Sequence, residues 1–147
     1  MKATSRRRAL IYVSAAVILV AAGYLALRPD VGADAGSTTH AIQYLGPTAA
    51  QEFLQTDPKA VLVDVRTPAE FQSGHLQGAM NLELDRLEGL AAQALPNKDA
   101  HLVVYCHSGN RSSFAVTILQ RMGYTHLVDV TGGIAAWEQQ GLPVVQD

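Results

Sequence analysis

Short apolar runs alternate with segments of helical periodicity along most of the chain. The runs 60–65 and 101–105 are almost wholly apolar, which is typical of strands buried on both faces of a parallel sheet. Shorter runs at 42–45, 78–82 and 127–130 predict three further strands. Helices are predicted over residues 47–54, 68–73, 85–94 and 111–122, and in a last segment that contains Trp137. This alternation predicts an α/β domain with a mostly parallel sheet covered on both faces.

Local signals fix one helix start and one helix face. Thr67, Pro68 and Glu70 form the pattern of a capping box, with the threonine as N-cap and the proline at the first helical position. The spacing within 111–122 predicts an inward face made of Phe114, Ile118, Leu119 and Met122. Phe114 and Trp137 are both expected to lie in the core.

The first 39 residues have a different pattern from the rest of the chain. Residues 1–8 are basic, and residues 9–27 form nineteen uncharged, mostly apolar positions, which is long enough for a helix to cross a bilayer. Residues 28–39 are small and polar and predict a linker, and residues 40–147 form the predicted domain. The alternative is a cleaved signal peptide, although the nearest small-residue cleavage pattern, at 33–35, lies well beyond the apolar run.

Basic residues are concentrated before the apolar run, which predicts a cytoplasmic N-terminus. The expected location is therefore the cell inner membrane, with a single span and the domain on the periplasmic side. Cleavage would instead release the domain into the periplasm or secrete it.

Charge and cysteine content argue against a nucleic-acid partner, an internal disulfide and a metal site. Residues 36–147 contain six lysine or arginine residues against eleven aspartate or glutamate residues, a net charge of −5, so no nucleic-acid partner is expected. The lone Cys106 excludes an internal disulfide. Cys106, His107 and His101 do not match zinc-ligand spacing, so neither a metal nor a cofactor is expected.

Cys106 directly follows an apolar strand and precedes a predicted helix start, with Arg111 five residues later. Thiolate formation is favoured by helix N-termini and nearby cations. Gly109 allows the chain to curl so that backbone N–H groups form a nest for an anion. The residues expected to form this nest are His107, Ser108, Gly109, Asn110 and Ser112. These features favour a nucleophilic cysteine over an inert core cysteine.

Four motifs in order resemble a single rhodanese (sulfurtransferase) domain over residues 42–145. They are DVRTPAEF at 64–71, GHLQGAMNL at 74–82, YCHSGNRSS at 105–113 and GGIAAWEQQGLPV at 132–144. The resemblance implies a three-layer fold with about five parallel strands between helices, preceded here by the membrane helix. It also implies that Cys106 takes sulfane sulfur from a donor such as thiosulfate as a persulfide. A thiol, a protein thiol or cyanide then accepts the sulfur.

Other residues near the cysteine receive supporting roles. Arg111 is expected to face the bound anion or brace the loop, while Asp64 and Arg66 are expected to support the loop from the neighbouring strand end. Glu70 is expected to act mainly as a cap. His75 belongs to a segment that resembles family scaffold, and His107 is expected either to tune the nucleophile or to contact the donor.

Two other functions remain open. The first is a non-catalytic module that accepts a persulfide and passes it to a protein partner. The second is a cysteine-dependent phosphatase or arsenate reductase, which such loops resemble. Four residues separate Cys106 from Arg111, whereas the phosphatase signature has five, and the shorter loop favours sulfur.

Overall fold

The computed structural model of the protein describes residues 41–146. Strands and helices alternate along this part of the chain: β1 (Gln43–Leu45), α1 (Pro47–Thr56), β2 (Val61–Asp64), α2 (Pro68–Ser73), β3 (Met80–Asn81), α3 (Leu87–Ala94), β4 (His101–Tyr105), α4 (Asn110–Arg121), β5 (His126–Val130) and α5 (Gly133–Gln139). A 3₁₀ turn, Leu84–Arg86, precedes α3, so the helix predicted from residue 85 consists of two parts.

The five strands form one parallel sheet in the order β1-β5-β4-β2-β3. Asp64 pairs in register with Tyr105, and Val104 pairs with Asp129. The ends of β2, β4 and β5 therefore lie along one edge of the sheet, where α/β proteins bind ligands. The predicted five-stranded parallel sheet is confirmed.

Two apolar clusters cover the two faces of this sheet. One contains Val104 and Cys106 from the β4 side, packed against buried residues of α3 and α4. The other contains Val103 and Tyr105, packed against α1 and α5. Neighbouring residues of β4 thus face opposite sides, as expected for a strand. This packing confirms that helices flank the sheet on both faces.

The predicted capping box at the start of α2 is present. The Glu70 backbone N–H donates to the Thr67 side chain at 3.3 Å, and the Thr67 N–H donates to Glu70 Oε2 at 3.0 Å. Pro68 occupies the first turn, where its missing N–H costs no helical hydrogen bond. This reciprocal pair fixes where the chain turns from β2 into α2.

The prediction that Phe114 lies in the core is wrong. The buried face of α4 consists of Ser112, Ala115, Val116 and Leu119, and Phe114 is 67% exposed. Phe114 lies two residues after Ser112, which is about 200° around a helix and therefore points away from the sheet. Of the other residues predicted on the inner face, Leu119 is buried, while Ile118 and Met122 are half-buried against the core. Trp137 is buried as predicted.

The predicted membrane span at 9–27 lies outside the described residues. Among residues 41–146, no helix combines the length and the apolar character that crossing a bilayer requires.

Candidate active site

Cys106 follows the last residue of β4 and is 1% exposed. Residues 106–111, called the cysteine loop from here on, connect it to the first turn of α4. The Gly109 N–H donates to Cys106 Sγ at 3.1 Å. The Cys106 thiol in turn donates to Ser112 Oγ, with 3.7 Å between the sulfur and the oxygen. Gly109 has φ 96°, a left-handed conformation that glycine adopts without steric cost. The loop thus curls around the sulfur as its sequence predicts.

The start of α5 holds the beginning of the cysteine loop. The Ile134 N–H donates to the Cys106 carbonyl at 2.9 Å, and the Ala135 N–H donates to the His107 carbonyl at 3.0 Å. A Cβ atom on Gly133 would lie 2.3 Å from the Cys106 carbonyl oxygen, so only glycine fits here. In the sequence, Gly133 belongs to the last of the four motifs, and no contact with the cysteine loop was predicted for it. A glycine pair after a buried strand was the available signal for this close approach.

Arg111 forms a two-pronged ion pair with Glu70. Its Nη1 donates to Oε2 at 2.8 Å and its Nη2 donates to Oε1 at 2.6 Å, with both side chains 35% exposed. This hydrogen bond lowers the pKa of the Glu70 carboxyl well below its usual range and raises the pKa of Arg111. Glu70 is therefore more than the predicted cap, because it links the cap of α2 to the end of the cysteine loop.

Asp64 and Arg66 form a buried ion pair at the end of β2. Arg66 Nη2 lies 2.6 Å from Asp64 Oδ2 and also donates to the Gly74 carbonyl at 2.6 Å. Burial opposes the charge on Arg66, but the Asp64 carboxylate outweighs that effect and raises the pKa of Arg66. Asn81 donates to the carbonyls of both residues. This arrangement places the pair beside the cysteine loop, and its supporting role stays a prediction.

The Tyr105 hydroxyl connects the end of β4 to the segment after α2. It accepts the Leu76 N–H at 3.1 Å, and the tyrosine ring lies 5.7 Å from the Arg66 guanidinium carbon. Burial raises the pKa of Tyr105 well above its usual range, so the hydroxyl keeps its proton. Tyr105 therefore ties the supporting ion pair to the strand that carries the cysteine.

The two candidate histidines have different surroundings. His75 is 3% exposed, its ring stacks on Phe71 with 3.9 Å between ring centroids, and Nδ1 lies 3.1 Å from the Phe71 carbonyl oxygen. Its backbone also pairs with Val145. These contacts are those of a scaffold residue. His107, in contrast, is exposed on the cysteine loop.

A cleft of about 350 Å³ lies beside the cysteine loop. Its walls are formed by Arg66, Glu70, Ser73, Gly74, His107, Ile134 and Glu138. Ser108 and Asn110 are exposed on the loop, whereas Ser112 is buried below it. The structure thus brings together the predicted residues from β2, α2 and the loop at one edge of the sheet.

Asp129 is a buried acidic residue that sequence reasoning did not single out. It is 3% exposed on β5, and burial raises the pKa of its carboxyl. A lone aspartate inside the apolar run of β5 was the signal that could have identified it. Within residues 41–146, no group of three or more His, Cys, Asp or Glu side chains is arranged to hold a metal ion.

Comparison with known families agrees with this geometry. The model of the rhodanese-like domain family matches residues 47–140. The chain belongs to the rhodanese-like domain family. The match contains the cysteine loop and the glycine pair before α5, so the rhodanese motifs seen in the sequence coincide with the site.

Two proteins to which this chain is similar are sulfurtransferases. The sulfurtransferase of Allochromatium vinosum is 41% identical over 85 residues, which are 58% of this chain and 78% of that protein. The thiosulfate sulfurtransferase PspE of Escherichia coli is 43% identical over 72 residues, covering 49% of this chain and 68% of that protein. A solved structure of a rhodanese with anions from Escherichia coli has a TM-score of 0.53 and 35% identity, covering 60% of this chain and 99% of that one. The expectation of a rhodanese-type sulfurtransferase enzyme is confirmed.

Proposed function

We propose that this rhodanese domain moves a sulfane sulfur from a small donor such as thiosulfate through a persulfide on Cys106. The observation that carries the proposal is the hydrogen bond from the Gly109 N–H to Cys106 Sγ. An N–H donor aimed at the sulfur stabilises negative charge there, and both a thiolate and a persulfide are anions.

The proposed reaction has two steps. The Cys106 thiolate attacks the outer sulfur of thiosulfate; a new S–S bond forms as the S–S bond of the donor breaks, and sulfite leaves with the electron pair. A thiol, as its thiolate, or cyanide then attacks the terminal sulfur of the persulfide. The sulfur leaves with the acceptor, and Cys106 returns to a thiolate. Electron pairs move only between the donor, Cys106 and the acceptor.

We expect the sulfur donor and the acceptor to reach Cys106 through the cleft beside the cysteine loop. His107 is exposed at this cleft, and Arg66, Glu70 and Glu138 contribute charges of both signs to its wall. A free thiol or a protein thiol is the proposed acceptor. Arg111 is proposed to position the end of the loop through Glu70, with its remaining N–H groups available to an anion.

The length of the cysteine loop favours sulfur over phosphate. The four residues between Cys106 and Arg111 make a narrower cradle than the five of the phosphatase signature. Insertion of one residue after Ser108 should therefore reduce sulfur transfer. Hydrolysis of a phosphate monoester by the unmodified chain would contradict this assignment.

Mass spectrometry after thiosulfate treatment tests the persulfide. The expected result is a gain of one sulfur atom on Cys106, absent from the Cys106→Ser variant. Transfer from thiosulfate to cyanide then tests turnover, with the same variant as control. An unmodified thiol would overturn the proposal. A chain that gains sulfur but turns over no faster than Cys106→Ser would be a persulfide carrier.

We also propose that the chain is a single-pass protein of the cell inner membrane with its domain on the periplasmic side. The basic residues before the apolar run 9–27 support this orientation. Protease added to intact spheroplasts should digest the domain, and a protected domain would contradict the orientation. The N-terminal sequence of the mature chain separates an anchor from a signal peptide cleaved near residues 33–35.

A further inference from the structure

The acidic and basic side chains on the wall of the cleft differ in whether an opposite charge balances them. Arg66 lies 2.6 Å from the Asp64 carboxylate, and Glu70 is bound by both terminal nitrogens of Arg111. These two pairs therefore add no net charge to the cleft. Glu138 is different, because no ion pair of the described residues includes it and none of their hydrogen bonds reaches its carboxylate. Its negative charge is left unbalanced in the cleft.

Glu138 lies one helical turn away from the cysteine loop. It shares a face of α5 with Ile134, because the two residues are four positions apart, and both line the cleft. The Ile134 N–H binds the Cys106 carbonyl, so this face of α5 starts at the loop. Glu138 follows about 6 Å further along the helix axis. His107 lines the loop end of the cleft, where it adds a positive charge only when it is protonated.

The stability of α5 does not account for a glutamate at this position. Glu138 is in the last turn of the helix, which contains no basic residue. The C-terminal end of a helix carries partial negative charge, so an acidic side chain there is unfavourable. The sulfur end of the cleft has the opposite character, because the Gly109 N–H and the N-terminus of α4 favour an anion there. The cleft therefore favours negative charge at the loop and positive charge one turn away.

We propose that Glu138 selects the sulfur acceptor, and that the preferred acceptor is a small thiol that carries a positively charged amine. The inference rests on the proposed persulfide function. The amine of the acceptor binds the Glu138 carboxylate, while the thiolate of the same molecule lies at the cysteine loop. The cleft of about 350 Å³ has room for a molecule of this size.

Glu138 contacts the acceptor through its amine and takes no part in the sulfur chemistry. The acceptor thiolate forms an S–S bond with the terminal sulfur of the persulfide. The bond between that sulfur and Cys106 Sγ breaks, and its electron pair returns to Cys106 as a thiolate. The same carboxylate repels a thiol that carries a negative group and leaves a neutral thiol unaffected, so it discriminates between acceptors by charge.

Discharge of the sulfur-loaded full chain tests this selection. The chain is loaded with thiosulfate, separated from excess donor and mixed with a cationic, a neutral or an anionic thiol of similar size: cysteamine, 2-mercaptoethanol or mercaptoacetate. Mass spectrometry follows the loss of sulfur from Cys106. In Glu138→Gln the rate should fall about threefold for cysteamine, stay the same for 2-mercaptoethanol and rise about threefold for mercaptoacetate. Each rate is divided by that of the unmodified chain with the same thiol, so differences in thiolate fraction cancel.

Glu88→Gln is the matched control. It removes one exposed carboxylate from α3, a helix that packs on the face of the sheet opposite to α5. All three discharge rates should equal those of the unmodified chain. Salt provides a readout that a structural role of Glu138 would not reproduce. At about 1 M salt, charges more than about 3 Å apart are screened, so the effect of Glu138→Gln on the cationic and anionic thiols should largely disappear.

Two results would overturn the role of Glu138 and leave the persulfide intact. The first is a Glu138→Gln variant whose rates are unchanged, or changed by the same factor, for all three thiols. The second is a change of preference that persists at high salt. A chain that takes no sulfur from thiosulfate would overturn this proposal together with the proposed function. Glu138→Lys should shift the preference further towards mercaptoacetate than Glu138→Gln does, because it reverses the charge.

Discussion

The two ends of the cysteine loop are held in different ways. At the beginning, backbone N–H groups of Ile134 and Ala135 bind the carbonyls of Cys106 and His107, with Gly133 packed against them. At the end, the Arg111 side chain binds the Glu70 carboxylate, with both side chains 35% exposed. The first contact depends on backbone and steric fit, and the second depends on charge.

This difference indicates that each end contributes something different to the site. A backbone contact has no titratable group, so solvent conditions change it little. A half-exposed ion pair is worth only about 0–1 kcal/mol in stability and responds to pH and salt. The position of Cys106 should therefore depend mainly on α5, while the Glu70–Arg111 pair adjusts the far end of the loop.

Gly133→Ala should have the largest effect, because it breaks the backbone contact. The added Cβ would lie 2.3 Å from the Cys106 carbonyl oxygen and 2.7 Å from the His107 carbonyl, so α5 and the loop must separate. We expect a loss of about 1–3 kcal/mol in unfolding free energy. Persulfide formation should fall about 10²-fold, as it does when reacting groups are displaced by about 1 Å. Denaturant unfolding and single-turnover mass spectrometry measure the two effects.

Gly89→Ala is the matched control for this substitution. Gly89 lies within α3, and a Cβ there would have no atom within 4 Å. Alanine should therefore raise the unfolding free energy by about 0.5–1 kcal/mol and leave persulfide formation unchanged. Gly133→Ala behaving like Gly89→Ala would show that the close approach of α5 does not position the cysteine.

The features of the fold that depend on neighbouring residues could be predicted from the sequence. Apolar runs predicted all five strands. The runs of β2 and β4 were the clearest, because burial on both faces of a parallel sheet leaves a strong local pattern. The capping box at Thr67 and Glu70 was equally readable, because its partners lie three residues apart. The curl at Gly109 and the position of Cys106 followed from the same local signals.

The remaining features depend on residues that are distant in sequence. The approach of Gly133 to Cys106, and the binding of Arg111 to Glu70, join segments that no local periodicity relates. Phe114 was misplaced because its spacing to Ile118 and Met122 fits a helix face that lies beside the buried one. Asp129 was overlooked because its place as a polar residue within an apolar strand was not treated as a signal.

Arg111→Lys should have an intermediate effect, because it weakens the charged contact and keeps the charge. A lysine ammonium cannot donate to both carboxylate oxygens of Glu70 in the geometry of a guanidinium. Persulfide formation should slow about tenfold, which corresponds to loss of one hydrogen bond to a charged group. Unfolding free energy should change by less than about 1 kcal/mol. Arg121→Lys, in the exposed last turn of the same helix, is the control and should change neither measurement.

Equal rates for Arg111→Lys and the unmodified chain would indicate that the Glu70 contact does not position the loop. A large loss of stability would instead indicate that the end of the loop is as firmly built as its beginning. Either outcome would remove the distinction between a rigid start and an adjustable end.

Glu70→Gln should have the smallest effect at neutral pH, since glutamine can still cap α2. Arg111 holds the pKa of Glu70 below its ordinary value of 4.5, so the folded chain releases this proton more readily than the unfolded chain. The ion pair therefore contributes stability above pH 4.5, and the contribution is lost as the pH falls toward the lowered pKa. Unfolding free energy should decline less with acid in Glu70→Gln than in the unmodified chain. Glu52→Gln, at an exposed position of α1, should retain the steeper decline, and identical acid profiles for Glu70→Gln and the unmodified chain would contradict a titratable contact at this end of the loop.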